Sequence, residues 1–286
     1  MTTGTRPRTV VVGVDPARTG RLATAWAADE ADRRGLPLRL VAALEPAPDT
    51  WHATDAARHR ARAEARAEAL RRAADAVRAR HPGLSVSSAL LRGAPAVVLA
   101  GLAQEAALMI LGSRHLSRTE EFLSAGSLVV PVTAQARCPV AVVGDAEHST
   151  QERPYLVVGI DGSPAAQGAL ALACEEADLR GCPLRAVAVR QPPLFPTRPE
   201  GAWLDGERRL LAEATAGWAE KYPDVTITHE VLAGSPVERL AEAAGHALAV
   251  VVGRRGRGGY TGMRVGSVVH GLLHRAHCPV ITVPAE

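Results

Sequence analysis

The two halves of this 286-residue chain repeat one another. Val10-Val11-Val12-Gly13-Val14-Asp15 aligns with Leu156-Val157-Val158-Gly159-Ile160-Asp161. The block from Glu30 to Arg39 aligns with that from Glu176 to Arg185, and Gly93-Ala94-Pro95 with Gly234-Ser235-Pro236. Leu111-Gly112 aligns with Val252-Gly253, and Cys138-Pro139-Val140 with Cys278-Pro279-Val280. The blocks keep one order and a near-constant offset that shortens slightly toward the C-terminus. Chance similarity of Ala/Val-rich segments does not produce such an offset, so the chain is a duplication and one fold serves twice.

Each half alternates short apolar runs with helical segments. In the first half, strands are expected at 9–14, 38–44, 85–91, 108–111 and 140–143. Helices are expected at about 20–34, 55–80, 95–105 and 127–136. The long segment is rich in Ala, Arg and Glu, all good helix formers, and Pro95 suits a first helical turn. Continuous apolar strands signal a sheet covered on both faces. The alternation therefore predicts an α/β fold: two tandem doubly wound, Rossmann-like domains, each a mostly parallel five-stranded sheet with helices on both faces. The expected domains are 1–146 and 154–286, joined by the polar stretch 144–154 and preceded by a disordered tail at 1–8. The closing runs 138–143 and 278–283 are expected at sheet edges, which invite pairing of the two halves and of whole chains into a homodimer.

Composition narrows the class. Apolar residues make up 47% and aromatics only 3%, so the cores must be built of Ala, Val and Leu. The net charge is +3, with acidic residues interspersed among the basic ones, which argues against a nucleic-acid patch. No apolar run reaches the length of a membrane span, and the N-terminus lacks an apolar signal core. The four cysteines form no C-x-x-C pair, and a reduced cytoplasmic setting is expected. The histidines near the last helix, His246, His270, His274 and His277, form no spaced metal set and are expected at the surface.

One segment points to chemistry. Residues 253–267 leave the apolar run 247–252 and enter a helical segment at 267–274. They hold six glycines, four arginines and no acidic residue. Glycine lets backbone N–H groups approach a ligand closely, and the free N–H groups of a helix N-terminus favour an anion. Strand, basic glycine-rich loop and helix start together make a phosphate cradle. The alternative, a tight solvated connection, does not account for the placement between strand and helix. The loop is not a P-loop, because the only lysine, Lys221, lies elsewhere. Nor is it the dinucleotide fingerprint, because it follows the fourth strand of its half and lacks the third glycine. Asp161 ends an apolar run and precedes Gly162-Ser163-Pro164. Asp there commonly makes an Asx turn or helix cap. At the C-terminal sheet edge its carboxylate can also accept from a ribose hydroxyl or an adenine amine.

The spacing Gly253-x2-Gly256-x9-Gly266-Ser267 resembles the nucleotide-binding signature of the universal stress proteins, and the resemblance covers both halves. It implies ATP at the C-terminal sheet edge. Gly253 and Gly256 are then expected against ribose and phosphates, with Gly266, Ser267 and Val268 holding phosphates. Asp161, and Val189 by strand alignment, are expected at the adenosine. Arg254, Arg255, Arg257 and Arg264 are candidate phosphate partners or solvated loop residues, and Mg2+ is a candidate companion of the nucleotide.

The first half departs from this pattern. His115 stands in place of the second glycine, Glu120 and Glu121 add negative charge, and Pro16-Ala17 replaces Gly162-Ser163. A degenerate first site and an intact second one are expected. Three functions follow. The leading one is an ATP-binding regulator of stress survival or growth that acts through an unidentified protein partner and is not an enzyme. The others are a slow ATP hydrolase or other nucleotide-dependent enzyme on the same fold, and an interaction protein with a vestigial nucleotide site.

Overall fold

Where the sequence shows apolar runs, the computed structural model has parallel strands. It describes residues 9–15, 21–46, 53–113, 128–144, 148, 150–191, 200–257 and 264–285, without the side chains of 53, 54 and 200–203. The chain divides into two compact units, the first holding the first five strands and the second the last five.

The first unit runs β1 (Val10–Gly13), α1 (Arg21–Arg33), β2 (Leu38–Leu44), α2 (Ala53–Arg80) and β3 (Val86–Arg92), then α3 (Pro95–Leu102), β4 (Leu108–Ser113), α4 (Val129–Gln135) and β5 (Val140–Gly144). The second runs β6 (Leu156–Gly159), α5 (Pro164–Arg180), β7 (Leu184–Arg190), α6 (Glu200–Thr215) and the short α7 (Trp218–Lys221). It continues with β8 (Ile227–Ala233), α8 (Pro236–Ala243), β9 (Ala249–Gly253), α9 (Ser267–Arg275) and β10 (Val280–Val283). Boundaries differ from the sequence expectation by a few residues, as frayed element ends do.

Within the units the strand orders are β3-β2-β1-β4-β5 and β8-β7-β6-β9-β10. The ladders are parallel, with Val11 beside Arg39 and Val157 beside both Arg185 and Val250. In the second unit α5 packs on β6 and β9 and α6 on β7 and β8, whereas α8 packs with α9 and over β6 and β7. Helices thus cover both faces, and the central strands can be apolar throughout: Leu156, Val157 and Val158, like Val250 and Val251, are fully buried. The outer strands β3 and β8 are largely half-buried or exposed and carry polar residues such as Ser87, Ser88, His229 and Glu230.

Local signals explain the best-defined helix. The Ser163 hydroxyl accepts from the Ala166 N–H at 3.2 Å, and Pro164 follows in the first turn. Gly181 ends α5 in the left-handed conformation at φ 59°. Two glutamates lie buried at repeat-equivalent places, Glu30 in α1 and Glu176 in α5. Each pairs one turn on, Glu30 with Arg34 at 2.7 Å and Glu176 with Arg180 at 3.0 Å. All four cysteines are buried, and among the described residues none is in a disulfide. Burial pushes the Cys174 thiol up to about 11 and the Cys278 thiol up to about 12.

Candidate functional site

In the second unit β6 and β9 are neighbours, but the chain leaves them in opposite directions, toward β7 and toward β10. The segments that follow their C-terminal ends therefore part, and such a divergence opens a crevice in doubly wound sheets. A cavity of about 320 Å³ lies there. Ile160, Val187, Val189, Leu240 and Val252 give it an apolar part. Asp161, Ser163, Arg255, Arg257 and the first residues of α9 give it a polar one. All seven residues picked from the sequence, Asp161, Val189, Gly253, Gly256, Gly266, Ser267 and Val268, line this one cavity.

α9 begins at the cavity without a capping side chain. Its N-cap is Gly266, which has no hydroxyl or carboxylate to offer. Ser267, Val268 and Val269 open the helix and line the cavity. The amides of a first turn have no acceptor inside the helix, and the helix dipole adds partial positive charge there. Gly266 itself donates its N–H to the Arg254 carbonyl at 2.9 Å, which closes the described parts of the loop onto each other. A Cβ on Gly266 would stand 3.2 Å from that carbonyl oxygen.

Asp161 is committed to the backbone on both sides. Its Oδ1 accepts from the Ser163 N–H at 2.9 Å, the Asx turn foreseen from Asp-Gly-Ser-Pro. Its Oδ2 accepts from the Arg257 N–H, also at 2.9 Å, across the cavity mouth. Each carboxylate oxygen keeps a second lone pair for a further donor. Gly162 sits between at φ 74°, which favours glycine, with Arg257 and Leu210 close against it.

Two loop glycines have internal reasons to be glycine. A Cβ on Gly253 would stand 2.8 Å from the carbonyl carbon of Ala165 and 2.9 Å from the Ala166 nitrogen, in the first turn of α5. A Cβ on Gly256 would press into Asp161 Oδ2, well inside contact distance. Neither reason needs a phosphate.

The arginines divide. Arg255 and Arg257 line the cavity and are exposed, whereas Arg254 is half-buried and not part of the lining. Burial, then the neighbouring Arg255, lowers the Arg254 guanidinium from its ordinary value. Arg255 donates to the Arg264 carbonyl at 3.4 Å. Among the described residues no cluster of His, Cys, Asp or Glu could hold a metal ion. Asp161 is the lone carboxylate among the described residues of the lining. Any Mg2+ at this site would have to rest chiefly on a ligand's own oxygens and water, as it commonly does with phosphates. The expected surface histidines are mixed: His246 and His277 are exposed, but His270 and His274 are half-buried with ring centroids 4.9 Å apart.

Sequence reasoning missed the wall that α8 supplies. Pro236 and Leu240 line the cavity, and Gly234-Ser235-Pro236 was legible only as a repeat block. Residues 258–263, 16–20 and 114–127, with His115, Glu120 and Glu121 among them, lie outside the described residues, as does the tail at 1–8.

Comparison with known proteins gives a consistent family. The sequence profile of the universal stress protein family matches residues 7–144 and again 155–284. A universal stress protein of Mycobacterium tuberculosis (strain ATCC 25618 / H37Rv) is 36% identical over 291 residues, covering 95% of each chain. One of Mycolicibacterium smegmatis is 34% identical over 294 residues, covering 96% of each. A universal stress protein from Archaeoglobus fulgidus shares the fold, with a TM-score of 0.72 over 97% of this chain and 96% of its own at 18% identity. Among the described residues no helix is long and apolar enough to cross a membrane.

Proposed function

The chain belongs to the universal stress protein family in tandem form, and from that premise we propose that its second half binds ATP and that occupancy regulates stress survival or growth. The observation that carries this is the cavity where β6 and β9 part. It joins an uncapped helix start at Ser267 to an apolar slot at Val187, Val189 and Leu240. The helix start suits phosphates. The apolar slot suits a base, and the remaining lone pairs of Asp161 suit a ribose hydroxyl or the adenine amine. Arg255 and Arg257 add positive charge at the mouth.

The site works as a binding module. Asp161 is the one carboxylate of the described lining and is engaged by two backbone N–H groups, which leaves no poised general base there. A bound Mg2+ would neutralise phosphate charge, and the protein's own share is to seat those phosphates on the α9 amides. The domains follow the repeat, 1–146 and 154–286, and a homodimer and a downstream protein partner complete the proposal. Buried, unbridged cysteines support a reducing, cytoplasmic setting. Calorimetric titration with ATP, and mass spectrometry of nucleotide released from the purified protein, test the reading. No saturable ATP binding would refute it, and steady turnover on the same sample would make the protein an enzyme.

A further inference from the structure

We propose that Asp161 and Ser163 are positioning residues, which tie down the 255–257 segment and set the cradle geometry before any ligand arrives. The ties flank Gly256. The Arg257 N–H donates to Asp161 Oδ2 at 2.9 Å, and the Ser163 hydroxyl donates to the Arg255 carbonyl at 3.4 Å. Both anchors are themselves fixed. Asp161 Oδ1 takes the Ser163 N–H at 2.9 Å, and the Ser163 hydroxyl caps α5 through the Ala166 N–H at 3.2 Å. The N-cap of one helix and the segment just after one strand thereby hold a loop that lies far along the chain.

Gly256 belongs to the same device. Its missing Cβ is what lets Asp161 Oδ2 come in under the loop to reach the next amide. Its φ is not in the left-handed region, so alanine fits the backbone and fails only against the carboxylate. The repeat supplies a contrast in sequence: Ala17 and His115 stand where Ser163 and Gly256 stand. Alanine has no hydroxyl to give, and histidine carries the Cβ that this approach excludes. The ties are read from the protein alone. What they prepare rests on the nucleotide reading above.

The test has two readouts on the full chain. In protein without nucleotide, hydrogen exchange at the Arg257 amide should quicken about ten- to a hundredfold in the isosteric Asp161→Asn, the equivalent of one hydrogen bond to a charged group. Gly256→Ala should do the same, and the Val251 amide in β9 should not change in either. Unchanged Arg257 exchange in both variants overturns the proposal. The second readout is the affinity for inorganic tripolyphosphate, which has neither ribose nor base. Gly256→Ala should weaken it in the parent and have no further effect in an Asp161→Ala background. Comparing within each background cancels the lost charge. Equal losses in both backgrounds would mean that Gly256 meets the phosphate directly, and would overturn its assignment to the tie. If the parent binds neither ATP nor tripolyphosphate, the nucleotide reading falls, and the exchange data still decide the tie.

Discussion

Gly253 and Gly112 hold the same place in the two repeats under different constraints. A Cβ on Gly253 would meet the backbone of Ala165 at 2.8 Å, whereas one on Gly112 would rest 3.6 Å from the Ala23 Cβ, an ordinary contact. Gly253→Ala should therefore force β9 and α5 apart and cost about 1–3 kcal/mol, the usual range for overpacking. Gly112→Ala should stay within about 0.5 kcal/mol of the parent. Paired thermal unfolding of the two variants checks this, and equal effects would contradict it. At the loop, Gly256→His should remove most ATP affinity while leaving the melting temperature near that of the parent. Ser267→Ala should be milder, because the α9 amides remain and one hydrogen bond to a charged group is worth about 1.5–3 kcal/mol. Titration beside thermal unfolding separates lost binding from lost fold.

Helices α1 and α5 carry a feature that periodicity does not reveal. Glu30 and Glu176 each stand in a Glu-Ala-Asp stretch of sequence, yet both are buried. The reason lies in tertiary packing, since each helix is pressed on its sheet and the charge survives there by pairing with Arg34 or Arg180 one turn on. Removing one partner of a buried pair leaves an uncompensated charge. Glu176→Ala should cost about 3–5 kcal/mol by that logic, measured by denaturant unfolding. A cost near zero would show that Arg180 finds water instead. α5 also depends on its cap, but Ser163 does two jobs, so Ser163→Ala should combine a capping loss of about 1 kcal/mol with a looser loop.

Taken as one molecule, the duplicated chain carries the Gly-x2-Gly-x9-Gly-Ser spacing of the proposed site only in the sequence of its second half. Calorimetry should find one ATP per chain, and two equivalent sites would show that the first half compensates for His115, Glu120 and Glu121 by other means. The buried thiols add a pH dependence. Cys278 is raised to about 12 and Cys174 to about 11, from an ordinary value of 9.0. The folded state therefore holds these protons more tightly than the unfolded chain. Their contribution is complete below about pH 9 and is lost as pH rises toward 11–12, with a limiting slope of about 1.4 kcal/mol per pH unit for each thiol. Stability that rises with pH above 9 would contradict this. For the same reason, alkylation at pH 8 should wait for unfolding.

The repeat and the alternation of apolar runs with helical segments were enough to establish two α/β halves with parallel sheets, because period and length are local properties. The loop 253–267 was legible because glycines, arginines and a helix start lie together in the chain. What the sequence left open is what approaches those residues through space. Asp161 could be read as a turn former or as a ligand acceptor, but not as the anchor of Arg257, because the two lie far apart in sequence. Gly253 and Gly256 looked like room for a ligand. In the fold, a Cβ on Gly253 would also meet Ala165, and one on Gly256 would also meet Asp161. The wall from Leu240 and the burial of Glu176 were hidden for the same reason. A strand order that turns back on itself between β6 and β9 brings distant segments into contact, and contact, not composition, sets the shape of the cavity.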